Sequence, residues 1–377
     1  MEVIALLAVV LLLFVFQGQL YKRLGLARLN YDCKFGKDEV FDTDELELTE
    51  TVSNEKWLPL PWLRAEFTSS VWLDFAQTHS TVTGNTRFVP SFFTIGGNQK
   101  ITRRWKVKCK KRGVYVIDTV MLSTSDLLGQ YQLARKDGVN TSLCVLPTPL
   151  PLDEFVSARH LQGDTVVRKN YYTDPFYVSG VREYSGSDPL NRVHWPATAK
   201  VGRLMVKNND YTTDQNILLI LNVQSAEHER TAVVNELPVE KAISACAAVC
   251  RETVRNNTPV SFMCNAQIDG EELFVQEGGG IDHVMELLRL FARIPLESPR
   301  HFPDYLDRNF DKLSSSDVVV VTPYMSEKLA ESLRRIIAFG NTVKVYLTQI
   351  SGSVIPDDID VYCLNEAQSE AGYNLGR

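Results

Sequence analysis

A basic surplus is what this 377-residue chain lacks first: 40 Lys and Arg stand against 46 Asp and Glu, a net charge of −6. A general nucleic-acid binder needs a positive face to neutralise phosphates, so that class is set aside. Repeats and low-complexity runs are absent too, and a composition 44% apolar and 10% aromatic is that of a folded chain. Metal-type pair spacing is missing among the seven cysteines: Cys33, Cys109, Cys144, Cys246, Cys250, Cys264 and Cys363. Their odd number and mostly apolar neighbours predict free, buried thiols in a reducing compartment. Cys246 and Cys250, four apart on a predicted helix, read as small core residues, because a zinc site would need two more ligands. Cys264, His283 and Asp282 could be drawn as a hydrolase triad, but nothing near Cys264 in sequence would activate its thiol. The run Gly278-Gly279-Gly280 is not followed by the Gly-Lys-Ser/Thr of a nucleotide loop, which leaves a flexible turn with Asp282 as helix cap.

What the chain does have begins at its N-terminus. Residues 3–16 contain no polar side chain, and the segment 17–21 can extend a helix into an interfacial zone. A cleaved signal peptide would want a basic start and a small-x-small exit. Glu2 before the run and the Gln17-Gly18-Gln19 stretch after it fit neither. A retained membrane anchor over residues 1–21 is therefore the expectation. Lys22, Arg23, Arg28, Lys34 and Lys37 all follow the span and no basic residue precedes it, which predicts a cytoplasmic soluble portion.

The length suits about two globular domains. From 28 to 150 the pattern is β: residues 46–52 and 105–109 alternate, Lys111-Arg112-Gly113 turns the chain, and Pro59, Pro61, Gly84, Gly96 and Gly97 punctuate it. Several short strands of this kind predict a β-sandwich. Pro147, Pro149 and Pro151 open a connector over 151–214. From 215 to 377 the rhythm changes. Within 216–223 the stretch 217–221 is continuously apolar, as in a strand covered on both faces. Helices are predicted over 239–256, from the triple glycine onward, and over 326–339. Strands are predicted over 260–265, 271–276, 317–322, 342–347 and 359–364. Alternation of strand and helix predicts a doubly wound α/β sheet.

The densest cluster of chemistry lies at 180–207, with Arg182, Glu183, Tyr184, Asp188, Arg192, His194, Trp195 and Lys200 in one short segment. It resembles the signature of the bacterial domain-of-unknown-function 58 family: G-x-R-x-Y, a G-D step, R-x-I-x-W, then A-R before an apolar strand. Ser187, Val193 and Lys200 depart from that pattern. The segments 54–63, 111–115 and 126–129 look like further landmarks of the same family. The resemblance implies a von Willebrand factor A-like α/β domain and a MoxR-type AAA+ ATPase as partner at the membrane.

Such domains usually hold Mg²⁺ on a D-x-S-x-S loop after the first strand. Here the matching residues are Asn222, Gln224, Ser225 and Ala226, and the fourth strand ends in Thr322-Pro323-Tyr324. Both carboxylates are missing, so no metal is expected. Within the signature, Arg182, Glu183, Asp188 and Arg192 can form bidentate ion pairs that Trp195 would shield from water, a clamp between the two domains. The other reading is a docking or ligand-binding surface. The expected function is thus a membrane-anchored, non-enzymatic interaction or scaffold protein without a cofactor. A hydrolase or transferase using Arg182, Asp188, Arg192 and His194 is the rival.

Overall fold

The computed structural model describes residues 2–76, 80–157, 178–184, 193–209, 216–229, 233–313 and 317–364. Helix α1 (Glu2–Leu24) opens the chain, and Leu6–Leu24 is long and apolar enough to cross a bilayer. Ile4, Leu6, Leu7, Leu11, Leu12 and Phe16 among its apolar side chains are exposed, whereas Tyr21 is buried in the core of the neighbouring β-structure. Two glycines allow that approach. A Cβ at Gly18 would sit 2.6 Å from the Tyr131 ring, and one at Gly25 would sit 2.5 Å from Leu133 Cδ1. Lys22 and Arg23 occupy the last turn, where a helix dipole favours cations.

The next ten strands are β1 (Leu29–Phe35), β2 (Glu39–Phe41), β3 (Glu45–Asn54), β4 (Leu60–Ser70) and β5 (Leu73–Phe75), then β6 (Thr81–Thr83), β7 (Thr86–Ile95), β8 (Gln99–Cys109), β9 (Gly113–Ser125) and β10 (Gln132–Leu146). They form a sheet of order β1-β3-β8-β5 and a second of order β2-β10-β9-β4-β7-β6. Alternation in β3 sends Leu46, Leu48 and Val52 inward, where they meet Leu63 and Phe67 of β4 and Ile117 and Leu122 of β9 in one core. This is the two-sheet packing that the alternating segments predict. A carboxylate is buried inside it: Glu50 accepts from Tyr31 Oη at 2.7 Å, Ser91 Oγ at 2.7 Å and Trp105 Nε1 at 2.5 Å. Three donors satisfy it, so it ties the two sheets together rather than standing as an unpaired charge.

The second half runs β11 (Phe155–Ser157), β12 (Val178–Glu183), α2 (Trp195–Val201), β13 (Met205–Asn209), β14 (Ile217–Leu221), α3 (Glu236–Arg255), β15 (Val260–Ile268), β16 (Glu271–Gly278), α4 (Gly280–Arg293), α5 (Phe302–Arg308), β17 (Asp317–Thr322), α6 (Glu327–Ala338), β18 (Thr342–Leu347) and β19 (Asp360–Leu364). Seven strands make a sheet of order β11-β19-β18-β17-β14-β15-β16. The inner strands pair in parallel, and the edges β11 and β16 pair antiparallel, so the sheet is mixed. Leu219 and Leu221 of β14 pack with α3 and α4, whereas Leu218 and Ile220 pack with α5 and α6. Helices on both faces explain why β14 is apolar without interruption. Residues 155–157, read from sequence as connector, add an edge strand instead, because their backbone pairs with Tyr362–Leu364. The helix after the triple glycine starts at Gly280 with Gly279 as N-cap. Asp282 sits inside its first turn and is not the cap.

Candidate functional site at the switch point of the sheet

After β14 the chain turns to one side of the sheet, to β15 and β16, and β17 then lies on the other side of β14. In open α/β sheets the crevice at such a reversal, outside the carboxyl ends of the strands, is where ligands bind. Asn222 follows β14 and Thr322 ends β17, so both stand at that point. They bond directly, with Asn222 Nδ2 donating to Thr322 Oγ1 at 3.0 Å. Asn222 Oδ1 accepts from Gln224 N at 3.0 Å and from Asn265 Nδ2 at 3.2 Å. Asn265 Oδ1 in turn accepts from Val223 N at 2.9 Å. Gln224 uses both ends of its amide: Nε2 donates to Glu229 O at 2.7 Å, and Oε1 accepts from Phe302 N at 2.8 Å.

Glu229 is the carboxylate of this network, and it faces inward onto its own loop. It accepts from Ser225 N at 2.6 Å, from Ser225 Oγ and from Val234 N at 2.8 Å. Asn222, Gln224, Ser225, Asn265 and Thr322 are all buried, while Ala226 is exposed. The Tyr324 hydroxyl is buried beside Asn222 without completing a hydrogen bond, and burial pushes its pKa up. Asn222, Gln224, Ser225 and Thr322 therefore stand together, but in a closed network of amides and hydroxyls tied to the inward-facing Glu229 carboxylate. A hard divalent cation needs open oxygen ligands with net negative charge. Here the amide oxygens are already committed to N–H donors, and the donor set does not suit Mg²⁺. Among the described residues, no group of three or more His, Cys, Asp and Glu comes together.

The signature segment sits elsewhere, on the two-stranded pair β12–β13. Arg182 pairs in register with Val206 and Glu183 with Met205, and Tyr184 N donates to Leu204 O at 2.9 Å. Glu183 is exposed and bonds Arg203 at 2.8 Å, a partner not singled out in sequence. Such a solvated pair contributes little. His194 caps α2: its Nδ1 accepts from Ala197 N at 3.1 Å, which occupies the lone pair a general base would use. Trp195 is 67% exposed. The expectation that its ring shields buried ion pairs is thereby corrected: the ring heads a short helix with no buried residue. Lys200 lies exposed in the last turn of that helix. Asp188 and Arg192 lie outside the described residues.

Among the described residues, other side chains join the sandwich to the α/β layers, Arg289 to Glu39 at 2.5 Å among them. Arg112, in the β8–β9 turn, is buried and sends Nη1 to the carbonyls of Phe291 at 2.7 Å and Ile294 at 3.1 Å. Its Nε donates to Glu240 Oε2 of α3 at 2.7 Å. Lys111 reaches Glu236 at 2.6 Å, and Tyr115 Oη pins the turn by donating to Lys111 O at 2.7 Å. The sequence marks Lys111-Arg112-Gly113 as a turn, but nothing in it names the helix end that Arg112 closes.

The thiols agree with their sequence reading. Burial pushes Cys250 and Cys264 up to about 12 and raises Cys246 well above its usual value. Cys264 accepts from Ala266 N at 3.4 Å, and His283 Nε2 lies 2.9 Å from Val260 O, so each has a backbone partner of its own.

These features define a class: an apolar N-terminal helix, a two-sheet β-sandwich and a mixed α/β sheet whose switch point is sealed. The family described as "Protein of unknown function DUF58" matches residues 180–376. The chain belongs to that family. The protein described as "Uncharacterized protein YeaD" of Bacillus subtilis (strain 168) is 20% identical over 237 residues, covering 61% of this chain and 56% of that relative. The chain thus spans just over half the length of the curated relative it matches. Solved structures with local likeness include a CARDB domain from Pyrococcus furiosus in complex with di-metal ions, 10% identical with a TM-score of 0.22, covering 32% of this chain and 90% of that one. Another is a non-cellulosomal cohesin from Archaeoglobus fulgidus, 12% identical with a TM-score of 0.22, covering 36% of this chain and 99% of that one. Likenesses at these scores carry no argument about fold or function.

Proposed function

We propose that the protein is a membrane-anchored interaction or scaffold module without enzymatic activity, and that its α/β part is a metal-free von Willebrand factor A-like unit. The apolar part of α1, within residues 1–21, is the anchor, and the basic residues from Lys22 onward hold the folded part on the cytoplasmic side. The partner is a MoxR-type AAA+ ATPase, as the family resemblance implies, and the joint task is assembly or maturation of other proteins.

One observation carries this reading. The carboxyl edge of the parallel strands is closed by polar side chains that bond one another, yet its loops present apolar groups to solvent. Val234 is 86% exposed, and Leu237, Ile350 and Val354 also face out. Thr348 Oγ1 donates to Pro238 O at 2.8 Å and Val354 N to Met325 O at 2.8 Å, which binds these loops into one surface. Exposed apolar groups beside a polar network suit a protein partner, whose buried centre would cover them.

The test uses the full chain in detergent micelles and a purified MoxR-type ATPase from the same genome. Retention by the parent and its loss in the double variant Val234→Glu with Val354→Glu, at unchanged melting temperature, is the expected result. Retention unaffected by the double variant, or none by the parent, overturns the proposal.

A further inference from the structure

The tip of the β9–β10 hairpin carries a second apolar feature, and its position relative to α1 gives it a meaning. Asp126 and Tyr131 close the hairpin, with Asp126 N donating to Tyr131 O at 3.2 Å and Tyr131 N to Asp126 Oδ1 at 2.9 Å. Beyond that rung the chain makes a tight turn, with Gly129 N donating to Asp126 O at 3.1 Å and Gly129 at φ +73. At the tip, Leu127 is 61% exposed and Leu128 56%. A turn held by two side-chain and backbone rungs has no conformational need of leucines pointing into water. Trp62 flanks it, 38% exposed, with its indole Nε1 donating to Ser125 Oγ at 2.7 Å.

The anchor helix fixes how high this tip stands. Gly25 faces Leu133, Gly18 faces the Tyr131 ring, and Gln17 Nε2 donates to Asp126 Oδ2 at 2.8 Å. Moving toward the start of α1 is therefore moving toward the hairpin tip: the two point the same way. Tyr21 Oη donates to Pro59 O at 3.0 Å and ties the helix to the residue just before the strand that carries Trp62. The polar contact at Gln17 is also where the apolar run ends, just after the exposed Phe16. A bilayer accepting that run has its surface at the level of Gln17, and Leu127 and Leu128 lie just past the residue that Gln17 touches. Lys22, with Nζ 6.0 Å from the centre of the Tyr131 ring, stands further from the membrane and can meet lipid phosphates.

We infer that Leu127, Leu128 and Trp62 form a collar that dips into the lipid surface around the anchor, so that the sandwich is seated on the bilayer in one orientation. The occupant is the acyl–headgroup boundary, where leucine adds apolar burial and tryptophan places its ring between apolar and wet zones. The polar bonds of Gln17 and Tyr21 transmit the seating: helix and hairpin enter together or not at all. This rests on the anchor reading above.

The experiment keeps the two readings apart. The photo-reactive amino acid benzoylphenylalanine replaces Leu128, Phe16 or Val116 one at a time in the full chain, reconstituted in nanodiscs of phosphatidylcholine and phosphatidylglycerol. Val116 is exposed near the other end of β9, about 30 Å from the tip by the rise of a strand. After illumination, lipid adducts are read by mass spectrometry. Adducts at 128 and at 16, with only background at 116, are the expected pattern. Adducts at 16 but none at 128 overturn the collar and leave the anchor standing. No adduct at 16 removes the anchor and the collar with it. Protein rather than lipid adducts at 128, in membranes from the expressing cells, would show that the tip docks on a polypeptide and would equally overturn the proposal.

Discussion

Arg112 Nε donates to Glu240 Oε2 at 2.7 Å, and through this pair the β8–β9 turn of the sandwich is bolted to the first helix of the α/β layers. The same guanidinium closes the carboxyl end of α4, where unsatisfied carbonyls carry the negative end of the helix dipole. A planar fork can serve a carboxylate on one edge and carbonyls on the other, which an ammonium cannot do with fixed geometry.

Arg112→Ala should therefore cost about 1–3 kcal/mol, because it leaves the carbonyls of Phe291 and Ile294 without their buried donor, while Glu240 keeps Lys111 at 3.3 Å. Arg112→Lys should recover only part of that loss. Urea unfolding curves of the two variants check this, and an Arg112→Ala protein as stable as the parent would show that the junction is not a structural unit.

Asn222→Asp probes the sealed switch point. The change removes the donor to Thr322 Oγ1 and places a carboxylate where burial disfavours charge, a cost of about 1–3 kcal/mol. Millimolar Mg²⁺ should not restore the melting temperature, since Gln224 Oε1 is held by Phe302 N and Ala226 has no oxygen to offer. A Mg²⁺-dependent rise in the melting temperature would mean that the loop opens to ligate.

Trp195→Ala should change stability by no more than about 0.5 kcal/mol, as expected for an exposed side chain. His194→Ala, which deletes the cap of α2, should cost about 1 kcal/mol. Chemical denaturation of both variants separates the roles. A loss of several kcal/mol in the tryptophan variant would place the ring in a buried contact in solution.

Lys56 gives a pH signature. Burial first, and the Arg135 charge second, lower its pKa from 10.5 to about 8, while Nζ donates to Asn54 Oδ1 at 2.8 Å. In this case the unfolded chain binds more protons than the folded one between those values, so stability rises with pH there. Below about pH 8 the charge is present in both states and its burial counts against the fold in full. The difference in unfolding free energy between the parent and Lys56→Met should therefore grow in the parent's favour between pH 8 and pH 10. A flat difference would show that water reaches the ammonium.

Much of the architecture was legible in the residues. Period-two alternation in segments such as 46–52 has one physical solution, a half-buried strand, and the uninterrupted apolar run 217–221 has another, a strand with helices on both faces. The predicted strands over 317–322 and 342–347 match β17 and β18 residue for residue. The loop Asn222-Val223-Gln224-Ser225-Ala226 was also legible as a place of interest, because its missing carboxylates are a matter of residue identity.

What sequence alone could not decide is where long-range partners meet. Arg182 to Trp195 is dense in charge, but density along the chain does not imply burial. In three dimensions Glu183 and Trp195 face solvent, whereas buried polar contacts are made by Arg112, Glu50 and Asn265, far apart in the chain. Burial of a polar group depends on which distant donors and acceptors the fold brings within hydrogen-bond reach. Glu50 meets Ser91 across 41 residues and Arg112 meets Phe291 across 179. Local patterns are set by local sterics and hydrophobicity, and so the strands and helices follow from the sequence. The closure of the switch point, the bolt at Arg112 and the alignment of the hairpin tip with the anchor exist only once those distant segments are packed together.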